Sequence, residues 1–499
     1  MEKFRLHFMI LCFTLLMNGV LVDGAFAMER DKSGTVQLVS WVDTSLDKAE
    51  KYVLRIDGTP FYMTNIQVRL DKLKGYEGWD DAALETVVKR AADDGFNTLS
   101  IPVCWRDVEP EKDMFDWTVL DKYMGWCKKY GLKMELLWFS WSSGGRIQWL
   151  TRNSESDIRE IRVPDYVCTT DGRSEFTVRR KTDPWTLDWY DDKLCDREQY
   201  VMGQIMEHIA VWDADNGNPH TVIGVQLGNE ALGHEQDVAV ERIIDYYHRI
   251  GGAVKKSRYV VWTRLNCVSW MTESRLKANE TKRAEGGTNI DFVGIDIYGT
   301  DANAVKGNMN GQLPHLGKNY TMIMEIDAKD PNTPLYQMAA LAGNKAFDYY
   351  NMAIVDGNEL YKRGEGTELV ERMQITEVRQ RNKILNLANQ DIALKAHGKS
   401  LYVYNYAGNS VEPETGLEGI SYTPDAIRSQ ALAIRHGSNE IVLLATQAGV
   451  FTLPASLKVI SASKGHFDRN NQWIKEGKIE IDGSTVIIPR TSAVLLKVR

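Results

Sequence analysis

Apolar and polar positions along this chain alternate between two periods. Short apolar runs at 61–68, 96–105, 132–139, 221–230, 259–266, 290–298, 320–326 and 347–352 end in turn or polar residues, as strands buried on both faces do. Between them lie segments with helical spacing: 79–94, with Leu84, Val87, Val88 and Ala91 on one face, then 120–130, 199–212 and 238–255. A longer helical segment is expected over 368–397, carrying Val370, Met373, Ile384, Leu385, Ala388 and Leu394. Strands alternating with helices in this number predict a (β/α)8 TIM barrel rather than an open doubly wound sheet. The stretch 143–193 shows neither period and reads as a long insertion.

On either side the texture changes. Residues 34–57 alternate loosely, and Asp57-Gly58 is a hairpin signal, so 28–60 is expected to be a β lead-in. After Gly398, short strand-like runs at 401–406, 431–434, 440–446, 449–453, 458–461, 478–481, 484–488 and 493–498 are separated by turn residues. They predict an all-β sandwich over 398–499 and leave 61–397 for the barrel. No Pro- or Ser-rich linker separates the two, so a packed arrangement is expected.

At the start, Lys3 and Arg5 precede a mostly apolar stretch over 7–22, followed by Ala25-Phe26-Ala27. This is the pattern of a cleaved signal peptide, 1–27, and predicts export to the periplasm or the medium. The stretch is too short and interrupted for a membrane span. A net charge of −8 provides no basic surplus to neutralise phosphates, which argues against a nucleic-acid partner. No glycine-rich phosphate loop follows any strand and no Cys/His zinc spacing occurs, so no cofactor and no metal are expected. Beyond the leader stand Cys104, Cys127, Cys168, Cys195 and Cys267. Cys104 and Cys267 lie in strand-like runs and read as core, whereas Cys168 and Cys195 form a candidate bridge.

The chemistry is sought at the strand ends. Arg69 follows the first strand, and Trp105 and Arg106 end the second. Trp138 and Trp141 follow the third, Asn229 and Glu230 end the fourth, and Asn266 ends the fifth. Asp296 and Tyr298 end the sixth, and Glu325 ends the seventh. A carboxylate at the end of a buried strand costs several kcal/mol unless paired. The C-terminal mouth of a parallel barrel, however, is where catalytic groups stand. Glutamates on the fourth and seventh strands face one another across such a mouth, the layout needed for glycoside hydrolysis. One must donate a proton while the other is ionised. Arg69, Trp105, Trp138, Trp141 and Asn266 are the expected substrate-binding residues, although Trp138 and Trp141 serve equally as core. Glu109 and Arg106 read as structural partners near the rim.

Several stretches resemble a known group. Asn229-Glu230 and Met324-Glu325 look like clan A of the glycoside hydrolases. The segment Asn97-Thr98-Leu99-Ser100-Ile101-Pro102-Val103-Cys104-Trp105-Arg106-Asp107-Val108-Glu109-Pro110, with Phe115-Asp116-Trp117 after it, is similar to the second-strand signature of β-galactosidase families thirty-five and forty-two. Gly144-Gly145-Arg146-Ile147-Gln148-Trp149-Leu150 resembles the loop after the third strand in family thirty-five. The resemblance implies that Glu230 is the acid/base, Glu325 the nucleophile, Asn229 a partner of the sugar 2-hydroxyl and Tyr298 a partner of the nucleophile. It also implies retention of configuration, with carboxyls ~5–5.5 Å apart, and an oligo- or polysaccharide substrate. The chain departs from family thirty-five at Pro102, where that family has Tyr, and at Gly228, where it has an acidic residue. A β-galactosidase-like exo-enzyme is therefore expected. Another β-hexosidase, an endo-glycanase of the clan and a non-catalytic glycan-binding barrel stand as alternatives. Self-association into a homo-oligomer is left open.

Overall fold

The computed structural model describes residues 35–45, 52–75, 77–142, 151–154, 157–159, 162–169, 171–180, 186–230, 238–297, 317–320, 322–342, 346–347, 360–395, 399–406 and 411–499. The leader 1–27 and Tyr298 lie outside these residues. So does most of the expected eighth strand and of the loop after the third.

Eight parallel strands form the central sheet: β1 (Asn65–Gln67), β2 (Thr98–Cys104), β3 (Lys133–Phe139), β4 (Val222–Gln226), β5 (Trp262–Val268), β6 (Phe292–Asp296), β7 (Met322–Glu325) and β8 (Ala346–Phe347). They pair in sequence order from β1 to β8, the order of a (β/α)8 barrel. Leu99, Ile101 and Val103 of β2 and Met134, Leu136 and Trp138 of β3 pack outward on the helices. The intervening residues fill the barrel. One of these layers is polar. Arg264 of β5 grips Glu135 of β3 through Nε (2.5 Å) and Nη2, and its Nη1 donates to Gln226 of β4. Ser100 Oγ donates to the same Glu135 at 2.9 Å, and both charged groups are fully buried. A buried pair survives only when its remaining lone pairs and protons are satisfied, as they are here.

Beneath the barrel, the lead-in strands Ser40–Asp43, Val53–Ile56 and Thr59–Pro60 form a small antiparallel sheet. Asp57 (φ 51°) and Gly58 (φ 80°) make the turn. Val53, Leu54 and Ile56 pack against Ile223, Trp262 and Phe292 at the base of the barrel.

The C-terminal part holds a six-stranded and a five-stranded antiparallel sheet. Strand Glu440–Ala445 shows why this region reads as continuous apolar runs rather than clean alternation. Ile441 and Leu443 face the second sheet with Phe451 and Val486. Val442 and Leu444 face Ile384, Leu385 and Ile392 of the barrel's last helices. The six-stranded sheet is thus covered on both sides, and the sandwich is packed on the barrel.

Some expectations need correction. The single helix expected over 368–397 is instead a strand, Leu369–Glu371, and two helices, Ile375–Leu387 and Asn389–Lys395. The break comes at Ala388 (φ −138°), because the Asn389 side chain is held by Tyr62: Oδ1 accepts its N–H at 3.0 Å and Nδ2 donates to its carbonyl at 2.7 Å. The helix expected from 199 begins at Asp192, where the Asp191 carboxylate caps the N–H groups of Lys193 and Leu194. Strands Ser421–Pro424 and Trp473–Lys478 were not legible in the pattern. Cys168 and Cys195 are not bridged; both are free, buried thiols. Among the described residues, no helix is long and apolar enough to cross a membrane.

Candidate active site

The mouth of the barrel is organised by Asn266, which ends its inward-facing run on β5. Its Nδ2 lies 3.3 Å from Glu325 Oε1, 3.3 Å from Asp296 Oδ2 and 3.2 Å from Asn229 Oδ1. Its Oδ1 accepts the backbone N–H of Glu230 at 3.0 Å. One amide therefore touches groups from the ends of β4, β6 and β7. Asn229 is held from below as well, since Gln226 Nε2 donates to its Oδ1 at 3.1 Å.

Two backbone irregularities aim the glutamates. Between β6 and β7 the register shifts, Ile295 pairing with Ile323 but Asp296 with Glu325. Met324 packs inside the barrel, and the shift lets Glu325 follow it without turning outward. Glu230 has a left-handed backbone (φ 44°), a strained conformation for a residue with a side chain. The hydrogen bond from its N–H to Asn266 holds it there. Carboxylate oxygens of Glu230, Asp296 and Glu325 all lie within 4.8 Å of one another. Asp296 and Glu325 are buried, and Glu230 is partly open.

Three carboxyls so close repel one another if all are ionised, and burial adds to the penalty. Desolvation, with Glu325 and Glu230 as neighbours, pushes the Asp296 carboxyl well above the usual carboxylate range, and Arg264 offsets this only in part. Such a trio has the donor set of a hard-cation site. Here, however, the Asn266 Nδ2 donor is directed between Asp296 and Glu325, where it would repel a cation.

The structure turns the expected tryptophans away from this mouth. Trp105, Trp138 and Trp141 are fully buried and pack outside the strands. Trp105 Nε1 donates to Glu109 at 2.8 Å, and Trp138 Nε1 to Glu198 at 2.7 Å. Trp141 Nε1 reaches Tyr246 Oη at 3.0 Å and Glu198 at 3.2 Å. Their faces and N–H groups are committed to the core, so none offers a sugar platform. Arg69 gives Nε and Nη2 to Asp71 at 2.9 and 2.6 Å and lies over Phe139, a structural clasp at the end of β1. Glu109 is structural as expected, taking hydrogen bonds from Trp105, Tyr166, Arg197 and the Asp113 N–H. Asn229, Glu230, Asn266 and Glu325 remain together at the mouth. Sequence reasoning placed Asp296 at a strand end but gave it no role, and it missed Gln226, whose signal is its alternation with Gly224 on β4.

Gly228 also finds its reason. A Cβ there would stand 2.3 Å from the Tyr247 hydroxyl, so an acidic side chain at this position is excluded by packing.

A family model described as beta-galactosidase, that of glycoside hydrolase family forty-two, matches residues 75–183, which span β2, β3 and the segment beyond. No curated protein matches the chain. Among solved structures it is similar to endo-glycoceramidase II from Rhodococcus sp. in a cellobiose-like imidazole complex, with 14% identity, 88% of this chain and 98% of that one covered, and a TM-score of 0.45. It is also similar to the exo-beta-1,4-mannosidase Op5Man5 from Opitutaceae bacterium strain TAV5, with 15% identity, 68% and 61% coverage, and a TM-score of 0.47. A third is a GH30 endoxylanase from Clostridium papyrosolvens C71, with 14% identity, 88% and 96% coverage, and a TM-score of 0.43. Over residues 75–183 of its barrel the chain is similar to a beta-galactosidase family, and glutamates follow β4 and end β7.

Proposed function

We propose that this protein is an exported retaining β-glycosidase, β-galactosidase-like and exo-acting, with Glu230 as acid/base and Glu325 as nucleophile. The observation that carries the reading is the approach of these two carboxyls, from β4 and β7, to within 4.8 Å. That spacing suits direct attack on the anomeric carbon and leaves no room for the intervening water of an inverting enzyme. The partial match to a beta-galactosidase family supports the choice of sugar, and the charged and apolar leader supports export.

In the first step, Glu325 attacks the anomeric carbon as the glycosidic C–O bond breaks. Glu230 gives its proton to the departing oxygen, and a glycosyl ester forms on Glu325. In the second, Glu230, now a carboxylate, takes a proton from water as the water oxygen attacks the same carbon. The ester bond breaks, Glu325 leaves as carboxylate, and Glu230 is protonated again. Asn229, beside both Glu230 and Asn266, is proposed to hold the sugar 2-hydroxyl, and Asn266 to steady both glutamates. Tyr298 is proposed as a further partner of Glu325.

The test is a panel of nitrophenyl β-glycosides, with the anomeric configuration of the first product followed by proton NMR. Hydrolysis of the galactoside with a β-configured initial product is expected. Preference for another β-hexoside would revise the sugar alone, and an α-configured product or an inert protein would overturn the mechanism.

A further inference from the structure

Asp296 has no part in the two-carboxylate reaction, yet it is the most deeply placed member of the trio. Only 2% of its surface is exposed, against 4% for Glu325. A carboxylate oxygen of Asp296 lies within 4.8 Å of one from Glu230 and one from Glu325. A contact between two carboxyls is a hydrogen bond only if a proton lies in it; otherwise it is a repulsion between like charges. Asp296 Oδ2 accepts from Asn266 at 3.3 Å, while Oδ1 is buried and receives no hydrogen bond from the described residues. An ionised carboxylate buried in this way would leave an acceptor unsatisfied, whereas a carboxylic acid needs fewer donors and supplies one itself.

The charged groups around it point the same way. Glu325 faces it from β7 and Glu230 from the end of β4, both acids. Arg264 on β5 is the cation that most favours its ionised form among the described residues, and its guanidinium is already committed to Glu135 and Gln226. Cys267, also on β5, is a buried thiol whose ionisation is suppressed by desolvation, so it brings no charge.

We infer that Asp296 is a positioning residue that works as a neutral carboxylic acid, hydrogen-bonding Glu230 and leaving Glu325 as the resting negative charge of the trio. This rests on the two-glutamate reading above. When Glu230 gives up its proton, the Asp296 hydroxyl is at hand to donate to the new carboxylate, steadying it for the step in which it acts as base. Asp296 keeps its own proton throughout. Aspartic acids held neutral by their surroundings so that they can donate a hydrogen bond are known elsewhere in catalysis.

The experiment compares Asp296→Asn and Asp296→Ala with the parent enzyme. Asn keeps shape, neutrality and a donor. Its kcat should stay within about tenfold of the parent, and both limbs of the pH–rate profile should stay in place. Ala removes the donor and should lower kcat by roughly 10- to 100-fold, the worth of a hydrogen bond to a charged group. If Asp296 instead works ionised, Asp296→Asn deletes a negative charge beside both glutamates and moves the limbs down by about one pH unit or more. That result would overturn the inference. A second readout needs no turnover. Infrared spectra of protein carrying 13C-labelled aspartate should show a protonated carboxyl band at neutral pH that is lost in Asp296→Asn; absence of the band in the parent also overturns it. A parent inert on every glycoside but showing the band would fail the functional reading and leave the protonation standing. An active parent without the band would do the reverse.

Discussion

The side-chain amide of Asn266 lies 3.3 Å from the Glu325 carboxylate, and through its other end the same amide holds the Glu230 backbone at 3.0 Å. One uncharged residue thus sets the distance between the two proposed catalytic groups. Removing a preorganised donor from a developing or reacting charge typically costs 10²–10³ in rate. Asn266→Ala should therefore lower kcat by about 10²-fold. Asn266→Asp should do worse, because it adds a fourth carboxyl to three that already lie within 4.8 Å. Steady-state kinetics on the best aryl glycoside from the panel checks both.

Glu230 is expected to matter in proportion to how badly the leaving group needs a proton. Glu230→Ala should slow poor leaving groups by roughly 10²–10⁴-fold and spare the best ones in the first step. Added azide should restore turnover by entering the vacated space, and the product should be a β-glycosyl azide. Equal loss across leaving groups would remove Glu230 from the acid/base role.

For Glu325, a 2-deoxy-2-fluoro glycoside with a good leaving group should inactivate the enzyme over time. Mass spectrometry of a digest should find the sugar on the peptide carrying Glu325. A label on Asp296 would reverse the roles of two neighbours in one cluster.

Gly224 permits the polar layer beneath the site. A Cβ at this position would stand 2.0 Å from Trp262 Nε1, the atom that donates to Glu135 at 3.2 Å. Gly224→Ala should destabilise the protein by about 1–3 kcal/mol through overpacking, read as a lowered urea midpoint. A melt unchanged from the parent would show that the ring can move aside.

The barrel and the sandwich are joined by a contact that responds to pH. His436, on the six-stranded sheet, lies 2.6 Å from Asp391 on the helix Asn389–Lys395. The hydrogen bond to Asp391 raises its pKa above the ordinary 6.5. A raised folded-state value means the stabilisation is fully present below pH 6.5 and is lost as pH rises through the folded value. His436→Gln should therefore melt below the parent under mildly acidic conditions and match it in mild alkali. The group is partly exposed, so the gap should be no more than about 1 kcal/mol. Thermal melts of both proteins across that range decide it.

How much of this was legible in the chain depends on which forces left a local trace. Strands buried on both faces are mostly apolar, so β4 announced itself as Val222-Ile223-Gly224-Val225, with Asn229 and Glu230 at the end of the run. The same logic exposed β7 and Glu325, and the order of strands and helices implied the barrel. The tryptophans carried no such trace. Trp138 turns outward because alternation on β3 points Glu135 inward, and its N–H is claimed by Glu198, a residue sixty positions away on the helix Asp192–Asp215. The register shift that aims Glu325 and the left-handed backbone of Glu230 are likewise products of pairing and packing. Asp296 stood in plain view at a strand end, but its chemistry lies in its company. Local pattern determined which residues stand at the strand ends, because burial constrains each strand by itself. Only the tertiary structure decided which of them meet, because repulsion between carboxyls and the reach of one Asn266 amide exist only once β4, β5, β6 and β7 lie side by side.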